Sequence, residues 1–148
     1  MNNLLPVFMK LKESNCLVAG GGEIALQKIE QLISSKAKVT VIAPEISESI
    51  KALPVKLISR NYRTRDIDNA KLVIAATDDN KVNKKIYNDA SKRGILVNVV
   101  DQPELCSFYM GSVYEDGDLK VAISTNGKCP SFGTYIKDHI KNISKGLW

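Results

Sequence analysis

Cys16-Leu17-Val18-Ala19-Gly20-Gly21-Gly22-Glu23-Ile24-Ala25 is the stretch on which the reading of the fold turns. An apolar run breaks into three glycines and then resumes at helical spacing, with Ile24, Ile29, Leu32 and Ile33 as its apolar positions. A buried strand hands over to a helix in this way when the first N–H groups of the helix face a phosphate. The pattern is G-x-G-x-x-A: Gly20 takes the tight turn, Gly22 lets a phosphate approach the backbone, and Ala25 holds the third, helix-packing position. Three glycines alone also fit a plain tight connection. The context favours the phosphate site, because Val39-Thr40-Val41-Ile42 follows as a second strand and completes a strand-helix-strand unit of about thirty residues.

Outward from that unit, helical and apolar segments keep alternating. A short helical pattern over 47–53 leads to a strand around 55–60, and a charged connection leads to Leu72-Val73-Ile74-Ala75-Ala76, the continuous apolar run of a strand buried on both faces. Thr77-Asp78-Asp79-Asn80 follows, where Asp78 or Asp79 can cap a helix over 82–93 that stops at Gly94. The strand 95–100 then delivers Asp101, while the imperfect alternation of 4–11 predicts a short edge segment at the start of the chain. This order predicts an α/β fold, a Rossmann-like doubly wound parallel sheet. Ligands of such sheets bind outside the carboxyl ends of the strands, so residues 20–22, Pro44 with Glu45, Thr77 with Asp78, and Asp101 are expected to face one crevice. In a dinucleotide site an acid about 20 residues past the glycines holds the ribose; Glu45 is the nearest candidate, and with no arginine beside it NAD is favoured over NADP.

After Asp101 the texture changes. Segments 108–110 and 119–124 read as two strands joined by the turn Glu115-Asp116-Gly117-Asp118, and Ser131 opens a last helix to about residue 143.

At 148 residues the chain suits one domain with a proper core, and 44% hydrophobic with 25% charged residues is ordinary for a globular protein. No apolar run approaches the roughly 20 residues of a membrane span, and no secretory leader is evident, so no membrane partner and a cytoplasmic location are expected. Lys and Arg outnumber Asp and Glu by 21 to 16, a formal charge of +5. The basic residues are scattered and not interleaved with aromatics, which argues for a small anionic ligand and no nucleic acid. Cys16, Cys106 and Cys129 form neither a disulfide framework nor a zinc pattern, and with His139 as the lone histidine no metal site is expected.

Five ordered motifs carry a resemblance: Leu5-Pro6-Val7-Phe8; Val18 through Ala25; Ala75-Ala76-Thr77-Asp78-Asp79 followed by Val82-Asn83; Asn98-Val99-Val100-Asp101; and Ala122-Ile123-Ser124-Thr125-Asn126-Gly127. Together, over about residues 4–130, they resemble precorrin-2 dehydrogenase, the NAD-dependent enzyme of siroheme biosynthesis that is also the N-terminal module of siroheme synthase. The resemblance implies oxidation of precorrin-2 to sirohydrochlorin with hydride passing to NAD, and in some members insertion of iron into the product. It implies nucleotide contacts at Glu23 and Ile24 and at Pro44 and Glu45, joined to those read above for Gly20, Gly21, Gly22, Thr77 and Asp78, and a key acid at Asp101. A carboxylate beside the reacting carbon is also what the chemistry asks for, since aromatising the macrocycle removes a hydride and a proton. A strand-end cap is the plainer role for Asp101.

The expected organisation is an NAD-binding Rossmann domain over 1–112 and a hairpin-and-helix dimerisation segment over 113–148, the chain forming a homodimer that covers apolar faces such as Val121 and Ile123. Three departures from the family pattern stand out: Gly111-Ser112 where Pro-Ala is frequent, Cys129 where many members have a serine tied in some to phosphorylation, and the longer helical tail that is absent or truncated at Trp148. The last departure bears on chelation and substrate enclosure more than on NAD. The competing reading is a non-catalytic NAD-sensing Rossmann regulatory module, which needs no acid at position 101.

Overall fold

Short, nearly continuous apolar runs build a five-stranded parallel sheet in the computed structural model, which describes residues 3–145. The strands are β1 (Asn15–Ala19), β2 (Lys38–Ile42), β3 (Lys56–Ile58), β4 (Leu72–Ala75) and β5 (Leu96–Val99), in the order β3-β2-β1-β4-β5. Helix α1 (Glu23–Ser34) returns the chain from β1 to β2, α2 (Glu48–Lys51) precedes β3, and α3 (Asn80–Lys92) returns it from β4 to β5. α1 packs on β1 and β2, α3 on β4 and β5.

Leu17, Ala19, Val73, Ala75, Val97 and Val99 join Ile86 and Ala90 of α3 in one buried cluster. The alternate residues Val18, Val41 and Ile74 are equally buried, as are Ala25, Ile29 and Leu32 of α1. Both faces are therefore covered, which is why β4 reads as an unbroken apolar run. Register aligns Ala19 with Ile42 on one side and Ala75 on the other, and Ala75 with Val99. Four strands thus end at one level.

The chain divides into two compact units, Phe8–Phe108 and, among the described residues, 3–7 with 109–145. In the second unit β6 (Ser112–Asp116) and β7 (Leu119–Ile123) form an antiparallel hairpin carrying α4 (Pro130–Ser144). The hairpin is displaced from the expected one: its first strand is 112–116, and its turn is the pair Gly117-Asp118, with Gly117 at φ 57° in the first central position. Glu115 and Asp116 are strand residues, because a two-residue turn needs only one positive φ here and the ladder continues to the Asp116–Leu119 pair. A Cβ at Gly111 would stand 2.1 Å from the Ile123 carbonyl oxygen, so the departure from Pro-Ala lets β7 approach closely. Residues 3–11 form no strand, and Leu5, Val7 and Phe8 lie exposed. Among the described residues no helix is long and apolar enough to cross a membrane.

The charged connection before β4 is tied down by acids. Arg60 grips Asp66 through both terminal nitrogens, at 2.9 and 2.7 Å, and the Arg63 N–H donates to the same carboxylate at 2.7 Å. Those hydrogen bonds, Arg60 first, hold the Asp66 carboxyl below the usual carboxylate range. Burial works against Asp89, but hydrogen bonds from Lys85, Tyr62 and Thr64 prevail and lower it too. A lowered folded pKa contributes stability that is fully present above the unfolded carboxylate value of about 4 and is lost as pH falls through the folded one. The double variant Asp66→Asn/Asp89→Asn should therefore melt lower at neutral pH and lose less melting temperature than the parent below about pH 4. Parallel melting-temperature profiles for the two proteins would refute this assignment.

Candidate cofactor and active site

Gly20 follows β1 with φ at 137°, and a Cβ there would lie 2.3 Å from the Ala76 carbonyl oxygen. A Cβ at Gly21 would lie 2.0 Å from the Glu45 carbonyl oxygen, and the Gly21 carbonyl accepts the Ser47 N–H at 2.9 Å. Both glycines are required by the protein's own packing.

Gly22 is different. Its φ of −99° suits any residue, and a Cβ on it would meet nothing within 4 Å. It is the N-cap of α1 yet offers no side-chain hydrogen bond, and the first helical bond is Leu26 N–H to the Gly22 carbonyl at 3.0 Å. The N–H groups of Glu23, Ile24 and Ala25 have no partner among the described residues, so the positive end of the helix dipole opens into free space. That space and those donors fit a phosphate group, while Glu23 and Ile24 stand exposed beside them.

The neighbouring strand ends are joined to this loop in series. Glu45 touches Gly21, Ala76 touches Gly20, the Val100 N–H donates to the Ala75 carbonyl at 3.0 Å, and Gln102 Nε2 reaches Asn80 Oδ1 at 3.4 Å. All four expected clusters lie along one carboxyl edge. From β2 to β5 is three strand spacings, roughly 14 Å, so a ligand touching both ends must be extended.

The individual side chains differ in what they have left to offer. Pro44 and Glu45 are exposed, and the Glu45 carboxylate makes no hydrogen bond or ion pair among the described residues. Of the two acids left open as caps, Asp79 is the cap: its carboxylate accepts the Lys81 N–H at 2.8 Å at the start of α3. Asp78 is exposed and uncommitted. Thr77 is spent internally, its N–H, carbonyl and hydroxyl all bonded to Asn83, so its side chain has little to give a ligand.

Asp101 is exposed at φ 62°, a left-handed conformation that aspartate tolerates better than most residues and that is frequent where geometry serves a site. Its carboxylate makes no hydrogen bond or ion pair among the described residues.

Sequence reasoning passed over Lys28. It is half-buried on α1; burial lowers its pKa from the usual lysine value, and the charges of Cys106 and Asp101 pull it back up. Nothing in a helical spacing pattern marks a lysine as feeling the charge of a carboxylate six elements away. The amide of Asn83 was likewise legible only as a motif letter. Elsewhere, Cys16 is core, with burial pushing its thiol up to about 11, Cys129 is the exposed N-cap of α4, and His139 stacks on Tyr135 at 6.4 Å. Among the described residues no group of three or more His, Cys, Asp and Glu is placed to hold a metal ion.

Comparison with known proteins meets the motif resemblance along nearly the whole chain. Residues 7–112 match a family described as "Putative NAD(P)-binding", and residues 116–143 match one described as "Sirohaem biosynthesis protein central". Siroheme synthase of Methylobacillus flagellatus is 40% identical over 94% of this chain and 31% of its own length, and that of Thioalkalivibrio sulfidiphilus 39% identical over 95% and 30%. The chain thus spans less than a third of the length of these relatives. Among solved structures, SirC, a precorrin-2 dehydrogenase, superposes with a TM-score of 0.79 at 29% identity, over 95% of this chain and 71% of that one. Since residues 7–112 are well over half of the 148, the chain belongs to the NAD(P)-binding family that they match.

Proposed function

We propose that this protein oxidises precorrin-2 to sirohydrochlorin with NAD⁺ as the hydride acceptor, in the cytoplasm and as a homodimer. The carrying observation is an uncommitted carboxylate, Asp101, on the same sheet edge as a helix N-terminus with unspent donors. The likeness to SirC and to siroheme synthases supports the choice of substrate. When bound, the nicotinamide supplies a two-electron acceptor; everything else falls to the chain's own groups. The N–H groups of residues 23–25 hold the pyrophosphate, with Gly22 leaving room for it. Glu45 accepts hydrogen bonds from the adenosine ribose, and its charge repels a 2′-phosphate. Asp101 takes the proton that the macrocycle loses as hydride leaves, so the substrate gives up two electrons and two hydrogens in all. The same carboxylate can accept a pyrrole N–H proton during iron insertion, the second activity that the resemblance implies.

The cofactor-binding domain on this reading is 1–112 and the dimerisation segment 113–148. Support for a dimer comes from α4, whose Gly133 packs on Ser112 and Ile123 while Phe132, Tyr135 and Ile143 are 53, 64 and 57% exposed along another face. An apolar stripe of that size on a fifteen-residue helix calls for a partner.

Three outcomes test the proposal. Wild-type protein should convert precorrin-2 in the presence of NAD⁺, and Asp101→Asn should cut turnover by about 10²-fold or more while NAD⁺ affinity stays within about twofold. Binding of NAD⁺ without turnover by the wild type would instead favour a sensing module. NAD⁺ should bind more tightly than NADP⁺, and Glu45→Gln should narrow the gap; a titration showing NADP⁺ preferred removes the role given to Glu45. Finally, Gly21→Ala should destabilise the fold by about 2 kcal/mol or more through its clash with a backbone carbonyl, whereas Gly22→Ala should cost about 1 kcal/mol or less and act chiefly on cofactor affinity. Equal losses of melting temperature for the two variants would contradict the separate roles of these glycines.

A further inference from the structure

Asn83 lies in the first turns of α3, only 3% exposed, and every hydrogen bond of its side chain goes to one residue. Its Oδ1 accepts the Thr77 N–H at 3.1 Å and the Thr77 hydroxyl at 2.6 Å, and its Nδ2 donates to the Thr77 carbonyl at 3.0 Å. The Thr77 hydroxyl has one proton to give. Asn83 Oδ1 is nearer to it than the Asp79 carbonyl at 3.0 Å, and that carbonyl already accepts the Asn83 N–H at 3.0 Å. The Thr77 oxygen in turn accepts the Asp79 N–H at 3.3 Å. One carboxamide thus holds the N–H, the carbonyl and the side chain of a single residue, which leaves that residue no freedom to swing.

The clamp sits where the sheet stops supplying order. β4 ends at Ala75, and the Ala76 N–H makes the last bond toward β1, to the Ala19 carbonyl at 2.8 Å. Beyond it nothing in the ladder fixes the Ala76–Thr77 peptide, yet the Ala76 carbonyl must stay against the Cα of Gly20 for the glycine loop to keep its course. We propose that Asn83 is a positioning residue of the cofactor crevice: through Thr77 it seats the Ala76 carbonyl against Gly20 and fixes the turn from which Asp78 projects, so the amide governs a loop on the adjacent strand end that it does not touch. This rests on the reading that the glycine loop holds the cofactor's pyrophosphate.

Asn83→Leu keeps the side chain's volume and removes its three bonds; Thr77→Val removes the hydroxyl and leaves the N–H bond to Oδ1 intact. NAD⁺ affinity is read by calorimetry, and amide exchange of the ligand-free proteins by nuclear magnetic resonance. With a net contribution of about one tenfold step for the paired bonds, Asn83→Leu should weaken NAD⁺ at least about tenfold and Thr77→Val about threefold. Exchange should quicken at Thr77, at Gly20, whose N–H donates to the Ile42 carbonyl, and at Ser47, whose N–H donates to the Gly21 carbonyl, while the β1 and β4 ladder amides keep their protection, a split that a merely structural asparagine would not produce. Affinity unchanged to within about twofold in both variants, or protection lost evenly across the sheet, overturns the proposal. Should Asn83→Leu fail to fold, Thr77→Val decides alone: an unchanged affinity overturns it. A wild-type protein that takes up no NAD⁺ overturns the cofactor reading itself and this proposal with it, an outcome distinct from binding by the wild type with indifferent variants.

Discussion

Two backbone contacts too close for any side chain hold the functional edge together. Gly20 presses on the Ala76 carbonyl and Gly21 on that of Glu45, with Cβ positions 2.3 and 2.0 Å from the two oxygens. No rotamer change relieves a clash between a Cβ and a carbonyl of the main chain, so the courses of the loops after β1, β2 and β4 constrain one another. The glycine loop is a wedge between its neighbours, and the direction in which α1 leaves the sheet follows from it. Gly22, one residue on, is under no such constraint. The contrast separates the part of the motif that builds the sheet edge from the part that leaves room for something else.

Charge is distributed in keeping with that division. Around the connection that enters β4 and the second half of α3, acids are matched: Asp66 to Arg60, Asp89 to Lys85 and Tyr62, Asp68 to Arg93. At the carboxyl edge Glu45, Asp78 and Asp101 have no such partners among the described residues, and the first-turn donors of α1 are equally unspent. Exposed ion pairs add little stability, so leaving surface acids unpaired costs the fold little. What it leaves is a row of uncommitted carboxylates along the edge.

The strand-helix alternation, the glycine loop and the strand-end acids were all legible in the sequence, because each depends on local pattern: apolar period, φ requirements at Gly20, and the rule that ligands meet the carboxyl ends of parallel strands. What escaped depends on contacts between distant residues. Asp78 and Asp79 are indistinguishable as letters, and only the Lys81 N–H bond makes Asp79 the cap. Lys28 feels the charge of Asp101 across several intervening elements, which no helical period announces. Asn83 reads as a polar residue on an amphipathic helix until its amide is found closed on Thr77. The hairpin turn lies at Gly117-Asp118 rather than across all of Glu115 to Asp118, because four polar letters in a row mark a turn without saying which two of them make it.

The order of charges along the edge bears on the proposed chemistry more than the net charge of +5 does. Reading from β2 to β5, an acid at Glu45 gives way to the positive end of α1 at residues 23–25, with Lys28 farther along the same helix, and then to acids again, Asp78 after β4 and Asp101 after β5. An extended dinucleotide has the complementary order: ribose hydroxyls that want an acceptor, a pyrophosphate that wants donors, and a reacting ring beside which a proton must be removed. A uniformly basic crevice would hold polyanions more tightly and do so without regard to which end faced which strand. Acids at the two extremities give up some of that attraction and, on this reading, fix the direction in which the cofactor lies, bringing the reacting end to the strand that carries Asp101.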